Sequence, residues 1–149
     1  MCIRDSFVVD HASHDDSDIT RQLIDRLNNF SVLIAHNGIR FDVPMLNTRA
    51  LAAGIRGLSP GIKHIDPCKI AWRHLNMQRN SLDAIAAFLQ LDEGKYHIGP
   101  EVWVRAALDR DKQAMKTLVE RCESDVRVLE DVASYFLPLT RSFNGWGSA

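Results

Sequence analysis

The chain has 149 residues, 46% of them hydrophobic and 25% charged, with a formal net charge of −1. That is enough for one domain around a single core, and no apolar run approaches the roughly 20 residues that a membrane helix needs. The near-zero charge excludes a global basic field for nucleic acid, but not phosphate contacts confined to one site.

The first residues, Met1-Cys2-Ile3-Arg4-Asp5-Ser6, have no periodicity and resemble translated adapter sequence. Residues 1–6 are therefore set apart as a non-native leader, one domain is expected over residues 7–140, and residues 141–149 are expected to form a tail. Phe7-Val8-Val9 reads as the end of a strand and is too short for the apolar core of a secretory signal. Asp15 to Asp18 crowd a helix start, where Asp16 or Ser17 can cap. Ile19, Leu23, Ile24, Leu27 and Phe30 recur at helical spacing, which predicts a helix over 17–29. Ser31 to Ala35 reads as a buried strand. Pro44 suits the first turn of a helix carrying Met45, Leu46, Ala50 and Ala53 as far as Gly54.

Three glycines and Pro60 make residues 54–62 a loop. Lys63 to Asp66 is a short strand ending at Pro67, and a helix follows to about His74. Asn80-Ser81 caps a helix with Leu82, Ile85, Ala86 and Leu89 on one face. Lys95 to Ile98 fits no single pattern. Gly99-Pro100 opens a short helix bearing Val102, Trp103 and Ala106, and a long helix runs from about Asp111 to Phe136. Strands alternate with helices early and helices dominate later, so the fold class is α/β with a helix-rich second half. Cys2, Cys68 and Cys122 form no Cys-x-x-Cys pair. They read as small core residues of a protein in a reducing cytoplasm. Trp72 and Trp103 read as core or partly covered anchors.

The chemistry concentrates in Ala35-His36-Asn37-Gly38-Ile39-Arg40-Phe41-Asp42, which places a polar cluster and a carboxylate at the end of a strand. In the last helix, Met115, Leu118, Cys122, Leu129 and Phe136 form an apolar seam, and Asp125 is expected to point into it. A buried carboxylate needs an ion pair, hydrogen bonds or a metal. Asp42 reads equally as a helix cap. Hard divalent cations prefer such oxygens, and a pair of them serves phosphodiester hydrolysis where about three or four carboxylates converge. His11 and His14 are a weak metal hint, while His64, His74 and His97 show no ligand spacing. Lys63, Lys69, Arg73, Arg79 and Lys95 read as a solvated face that can also border a nucleic-acid path.

Asn37-x-x-x-Phe41-Asp42, a gap of some eighty residues, and Cys122-Glu123-Ser124-Asp125-Val126 within a helix resemble the second and third motifs of the DEDD 3′–5′ exonuclease superfamily. The likeness extends over about residues 7–140 and is nearest to predicted exonucleases akin to the proofreading domain of family B DNA polymerases. Ile65-Asp66-Pro67, Ser81-Leu82-Asp83 and Glu101-Val102-Trp103 also have counterparts there. The resemblance implies a ribonuclease H-like mixed sheet flanked by helices, and two Mg²⁺ or Mn²⁺ ions. It implies Asp42 and Asp125 as catalytic, metal-binding residues. It further implies Asn37 positioning a terminal nucleotide, Phe41 packed beneath the strand end, and His36 lining the same cleft. The partner implied is DNA or RNA with a free 3′ end, in the cytoplasm and away from membranes. The family's first motif, Asp-x-Glu on a leading strand, is absent from the sequence. The expectation is therefore truncation before residue 7, with the leading strand or strands missing and the fragment inactive alone. Arg121 and Glu120 hold the places of the third motif's usual Tyr or His. Arg121 cannot act as a base; it is expected to contact phosphate or pair with Asp125, and Glu120 is a candidate substitute. A catalytically inactive nucleic-acid-binding or scaffolding module of the same fold is the alternative.

Overall fold

The computed structural model describes residues 15–91 and 98–143. The strand expected at Phe7 to Val9, the unassigned stretch from Lys95, and Cys2, His11, His14 and His97 lie outside these residues.

Helix α1 (Ser17–Leu27) buries Thr20 and Ile24. Its start is closed by Asp15, not by Asp16 or Ser17 as expected. Asp15 Oδ1 accepts the Ser17 N–H at 2.9 Å and the Ser17 hydroxyl at 2.5 Å. Those bonds hold the Asp15 carboxyl below its ordinary value. Asp16 stands at the cap position without capping, because its carboxylate pairs with the Arg49 guanidinium of the following helix.

Strand β1 (Val32–Ile34) runs parallel to β2 (Lys63–Ile65), with Val32 opposite Lys63 and Ile34 opposite Ile65. A parallel pair requires a crossover, and helix α2 (Asp42–Ala52) supplies it. Pro44 falls in the first turn of α2, as its missing donor predicts. The helix ends where Gly54 takes a φ of +66°. There the Gly54 N–H reaches the Leu51 carbonyl at 3.1 Å and the Ile55 N–H reaches Ala50 at 2.8 Å, a left-handed C-terminal cap. The described residues hold this two-stranded parallel sheet and no mixed one. β1 is less buried than its apolar run predicts: Val32 and Ile34 are 43% and 39% exposed. They share one face of the strand, and among the described residues β1 pairs on one edge only.

Four helices follow: α3 (Pro67–His74), α4 (Leu82–Phe88), α5 (Pro100–Leu108) and α6 (Lys112–Phe143). Asp66 caps α3 with Pro67 in its first turn, and Ser81 caps α4. α6 is the spine against which α3, α4 and α5 pack. One core joins Ala71, Ile85, Val128, Val132 and Phe136; a second joins Ala106, Ala114 and Leu118. Each fully buried Ile or Val there contributes about 1.5–3 kcal/mol. Pro138 lies inside α6, where its ring offers no N–H to the preceding turn. Among the described residues no helix is long and apolar enough to cross a membrane.

The buried stripe of α6 differs from the expected seam. Leu118 and Phe136 belong to it, but Val128 and Val132 are buried where Cys122 and Leu129 were expected, and Cys122 and Val126 are exposed. The stripe passes through Arg121 and Ser124, polar residues that an apolar pattern skips. Ser124 is buried, and Asp125 stands at the stripe's edge. Trp72 is 80% exposed and Trp103 more than half exposed, so neither is a core anchor. Their helices turn other residues inward, Ala71 and Ala106.

Candidate functional site

The carboxyl ends of β1 and β2 are tied by one buried carboxylate. Asp66 Oδ1 accepts the Asn37 N–H at 2.7 Å and the Cys68 N–H at 3.1 Å. It thus caps α3 and pins the loop that leads from β1 into α2. Burial raises the neighbouring Cys68 thiol above its ordinary value, with the Asp66 charge adding to the effect.

Within the loop Asn37 has a φ of +59°, a left-handed conformation that Asn tolerates better than most residues. Gly38 is buried, and a Cβ there would collide with that of Ala35. The Gly38 carbonyl in turn accepts the Val43 N–H at 2.9 Å. These constraints set the Asn37 side chain and Asp42 at the surface, Asp42 as the first residue of α2. Phe41 does not pack beneath the strand end; it is 64% exposed. It occupies the cap position of α2, and the turn that presents Asp42 swings the ring outward. An exposed aromatic beside a strand end is available for stacking on a base.

His36 follows the strand pair and is half buried. Its Nε2 lies 2.8 Å from the Asn80 carbonyl, an acceptor only, so Nε2 carries the proton. Nδ1 is then a lone pair, buried and without a hydrogen-bond partner among the described residues, as is Asn80 Oδ1. Burial pushes the His36 pKa below its ordinary value, outweighing the Asn80 carbonyl and the Asp66 and Asp83 charges.

Arg121 Nη2 lies 3.1 Å from Asp83 Oδ1 and 3.1 Å from Asp125 Oδ1. Arg121 is 20% exposed and Asp125 40%, so Asp125 borders the core without entering it. Burial raises the Asp125 pKa; Arg121 opposes that shift and Asp83 reinforces it. The ion pair is thus too wet to offset desolvation fully. Glu120 faces solvent, 3.7 Å from Lys116 on the preceding turn, and is no substitute base beside Asp125. Cys122 is exposed, contrary to expectation, and partial burial with the Asp125 charge raises its thiol pKa.

His36, Asp83, Arg121 and Asp125 therefore share one electrostatic neighbourhood. Asp83 is the member not assigned a role from the sequence. It lies in the first turn of α4, two residues after the Ser81 cap, and only the docking of α4 on α6 reveals its place.

A β-α-β unit with polar loops at the carboxyl ends of its strands, backed by helices, is an α/β architecture that binds at that end. Residues 4–137 match the model of the RNase_H superfamily, and the chain belongs to that superfamily. No curated protein and no solved structure matches the chain. Domains of this superfamily act on nucleic acids, and its nucleases generally use divalent metals, so the chain is a nuclease-like domain. The donors fit such ions in kind, being hard carboxylate oxygens. They do not fit in number: among the described residues no three His, Cys, Asp or Glu gather to hold an ion.

Proposed function

We propose that this domain engages the 3′ end of a nucleic-acid strand at the carboxyl end of β1, as a 3′–5′ exonuclease of the DEDD type. The observation that carries this reading is the β1–α2 loop. It is pinned to Asp66 through the Asn37 N–H and presents Asn37, Phe41 and Asp42 together at the surface. Asn37 offers a donor and an acceptor to a terminal nucleotide, and Phe41 a face for its base. Asp42 and Asp125 are the catalytic carboxylates, the positions for Mg²⁺ or Mn²⁺, while His36 shapes the floor as a neutral imidazole. Two-metal hydrolysis uses about three or four carboxylates, of which Asp42 and Asp125 would be two.

The Arg121–Asp125 pair favours a second reading, a module that holds a 3′ end without cutting it. One assay separates the two. A 5′-labelled single strand is incubated with the chain and Mn²⁺. Stepwise shortening from the 3′ end, lost in Asp42→Asn and Asp125→Asn, is the exonuclease result. Binding that Mn²⁺ strengthens through Asp42 and Asp125, even without shortening, keeps the first reading; binding without shortening that neither Mn²⁺ nor the two substitutions alter is the result of the second. Neither binding nor shortening, with DNA and with RNA, contradicts both.

A further inference from the structure

Between the buried Asp66 and Asp83 the chain holds no acid, but it holds Lys69, Arg73 and Arg79, in a protein whose net charge is −1. This basic stretch is fastened at both ends to the carboxyl end of β1. Asp66 accepts the Asn37 N–H at 2.7 Å, and the Asn80 carbonyl lies 2.8 Å from His36 Nε2. The stretch therefore brackets the loop that carries Asn37 and Phe41. Helix α3 turns Ala71 inward toward α6, which leaves Lys69, Trp72 and Arg73 on its outer side. Lys69 lies one turn before the other two and neighbours both, at about 5–6 Å between Cβ atoms. All three are exposed, Trp72 by 80%. Arg40, in the β1–α2 loop, is also exposed, and it is close enough to α3 for its charge to act on Cys68. Among the described residues Arg40, Lys69, Arg73 and Arg79 form no ion pair.

We propose that the outer face of α3, together with Arg40 and Arg79, is the path of the single strand whose end enters the site: Trp72 stacks on a base, and the four cations hold phosphates. Charge complementarity selects this occupant. A basic strip without acids attracts a polyanion, and an exposed indole among its cations accepts a base of any sequence. An acidic peptide matches the charges but not the alternation of charge and stacking surface. A duplex keeps its bases stacked on one another and denies Trp72 its contact. The proposal rests on the reading of the chain as a nucleic-acid-binding domain and extends it from the terminal nucleotide to those before it.

The test is fluorescence anisotropy of a labelled thymidine homopolymer, linear and circularised, bound by the full chain in EDTA across a salt series, and repeated with uridine. Trp72→Ala is expected to weaken binding of both forms about 5–100-fold, the range of one base–aromatic stack, with the salt slope unchanged. Trp72→Phe keeps a ring and should recover much of that loss. Lys69→Gln and Arg73→Gln should each make the slope of log K against log salt shallower by about 0.7, the value for one phosphate contact of a single strand. These side chains face water, so urea midpoints should stay at the wild-type value, and a duplex should not respond to Trp72→Ala. Strand binding that Trp72→Ala leaves within about twofold, the effect of an ordinary surface change, with both slopes unaltered, overturns the path. A linear strand still preferred over a circular one then leaves the terminal-nucleotide reading standing. Losses at Trp72 and Lys69 with equal affinity for the two forms uphold the path and count against the terminus. Binding of neither homopolymer overturns both, and self-association abolished by Trp72→Ala would then assign the face to a second copy of the chain.

Discussion

Asp66 offers the sharpest stability test because a single buried oxygen serves two backbone donors. Asp66→Ala removes the α3 cap, a loss of about 1 kcal/mol. It also strips the Asn37 N–H of a carboxylate partner at 2.7 Å, a bond to a charged acceptor that contributes about 1.5–3 kcal/mol. The expected destabilisation is about 2–4 kcal/mol, since the two losses share one oxygen and overlap. Asp66→Asn keeps an oxygen in place and caps nearly as well, but loses the charge, so it should fall by about 1 kcal/mol. Urea unfolding with linear extrapolation gives both values, and amide hydrogen exchange at Asn37 reports the local bond. Asp66→Ala within about 0.5 kcal/mol of wild type, the range of an ordinary surface change, would refute the reasoning. So would Asp66→Asn as unstable as Asp66→Ala, because the acceptor geometry would then not be what holds the loop.

Three further outcomes follow from the same loop. At Asn37, with its φ of +59°, Asn37→Gly should leave urea stability within a few tenths of a kcal/mol, whereas Asn37→Val should lose about 1–2 kcal/mol. If the amide contacts the strand, Asn37→Gly still weakens oligonucleotide binding, which separates the side chain's role from the backbone's. Gly38→Ala should be destabilised by about 1–3 kcal/mol through its collision with Ala35; an unchanged urea midpoint would show that the loop has room. His36 should titrate by proton resonance below its ordinary 6.5. Because that folded value is depressed, the stability His36 contributes is present above 6.5 and lost as pH falls through the lower folded value. A His36→Gln variant should lack this part of the acid slope.

Much of the fold was legible because its helices obey simple periodicities. The face of Leu82, Ile85, Ala86 and Leu89 in α4 and the C-terminal signal at Gly54 were readable, since each is set within one or two turns. The loop with Asn37 and Asp42 was readable for the same reason. What escaped depends on contacts distant in sequence. Asp16 looked like a cap until Arg49, on another helix, claimed it. Asp66 looked like a strand end, and its bond to Asn37 spans 29 residues. In α6 the stripe was misplaced by about one residue because Arg121 and Ser124 face inward while Cys122 and Val126 face out. That inversion of polarity is a local violation of pattern of the kind that functional sites carry. It coincides with the pairing of Arg121, Asp83 and Asp125.

The central claim is that the carboxyl end of β1 receives the 3′ terminus of a strand. The most direct measurement is fluorescence anisotropy comparing linear and circularised single strands of one sequence, with EDTA present so that nothing is cut. The account predicts tighter binding of the linear strand, with the advantage reduced by Asn37→Gly and by Phe41→Ala. Equal affinity for the linear and circular strands, unaffected by those two substitutions, would contradict it.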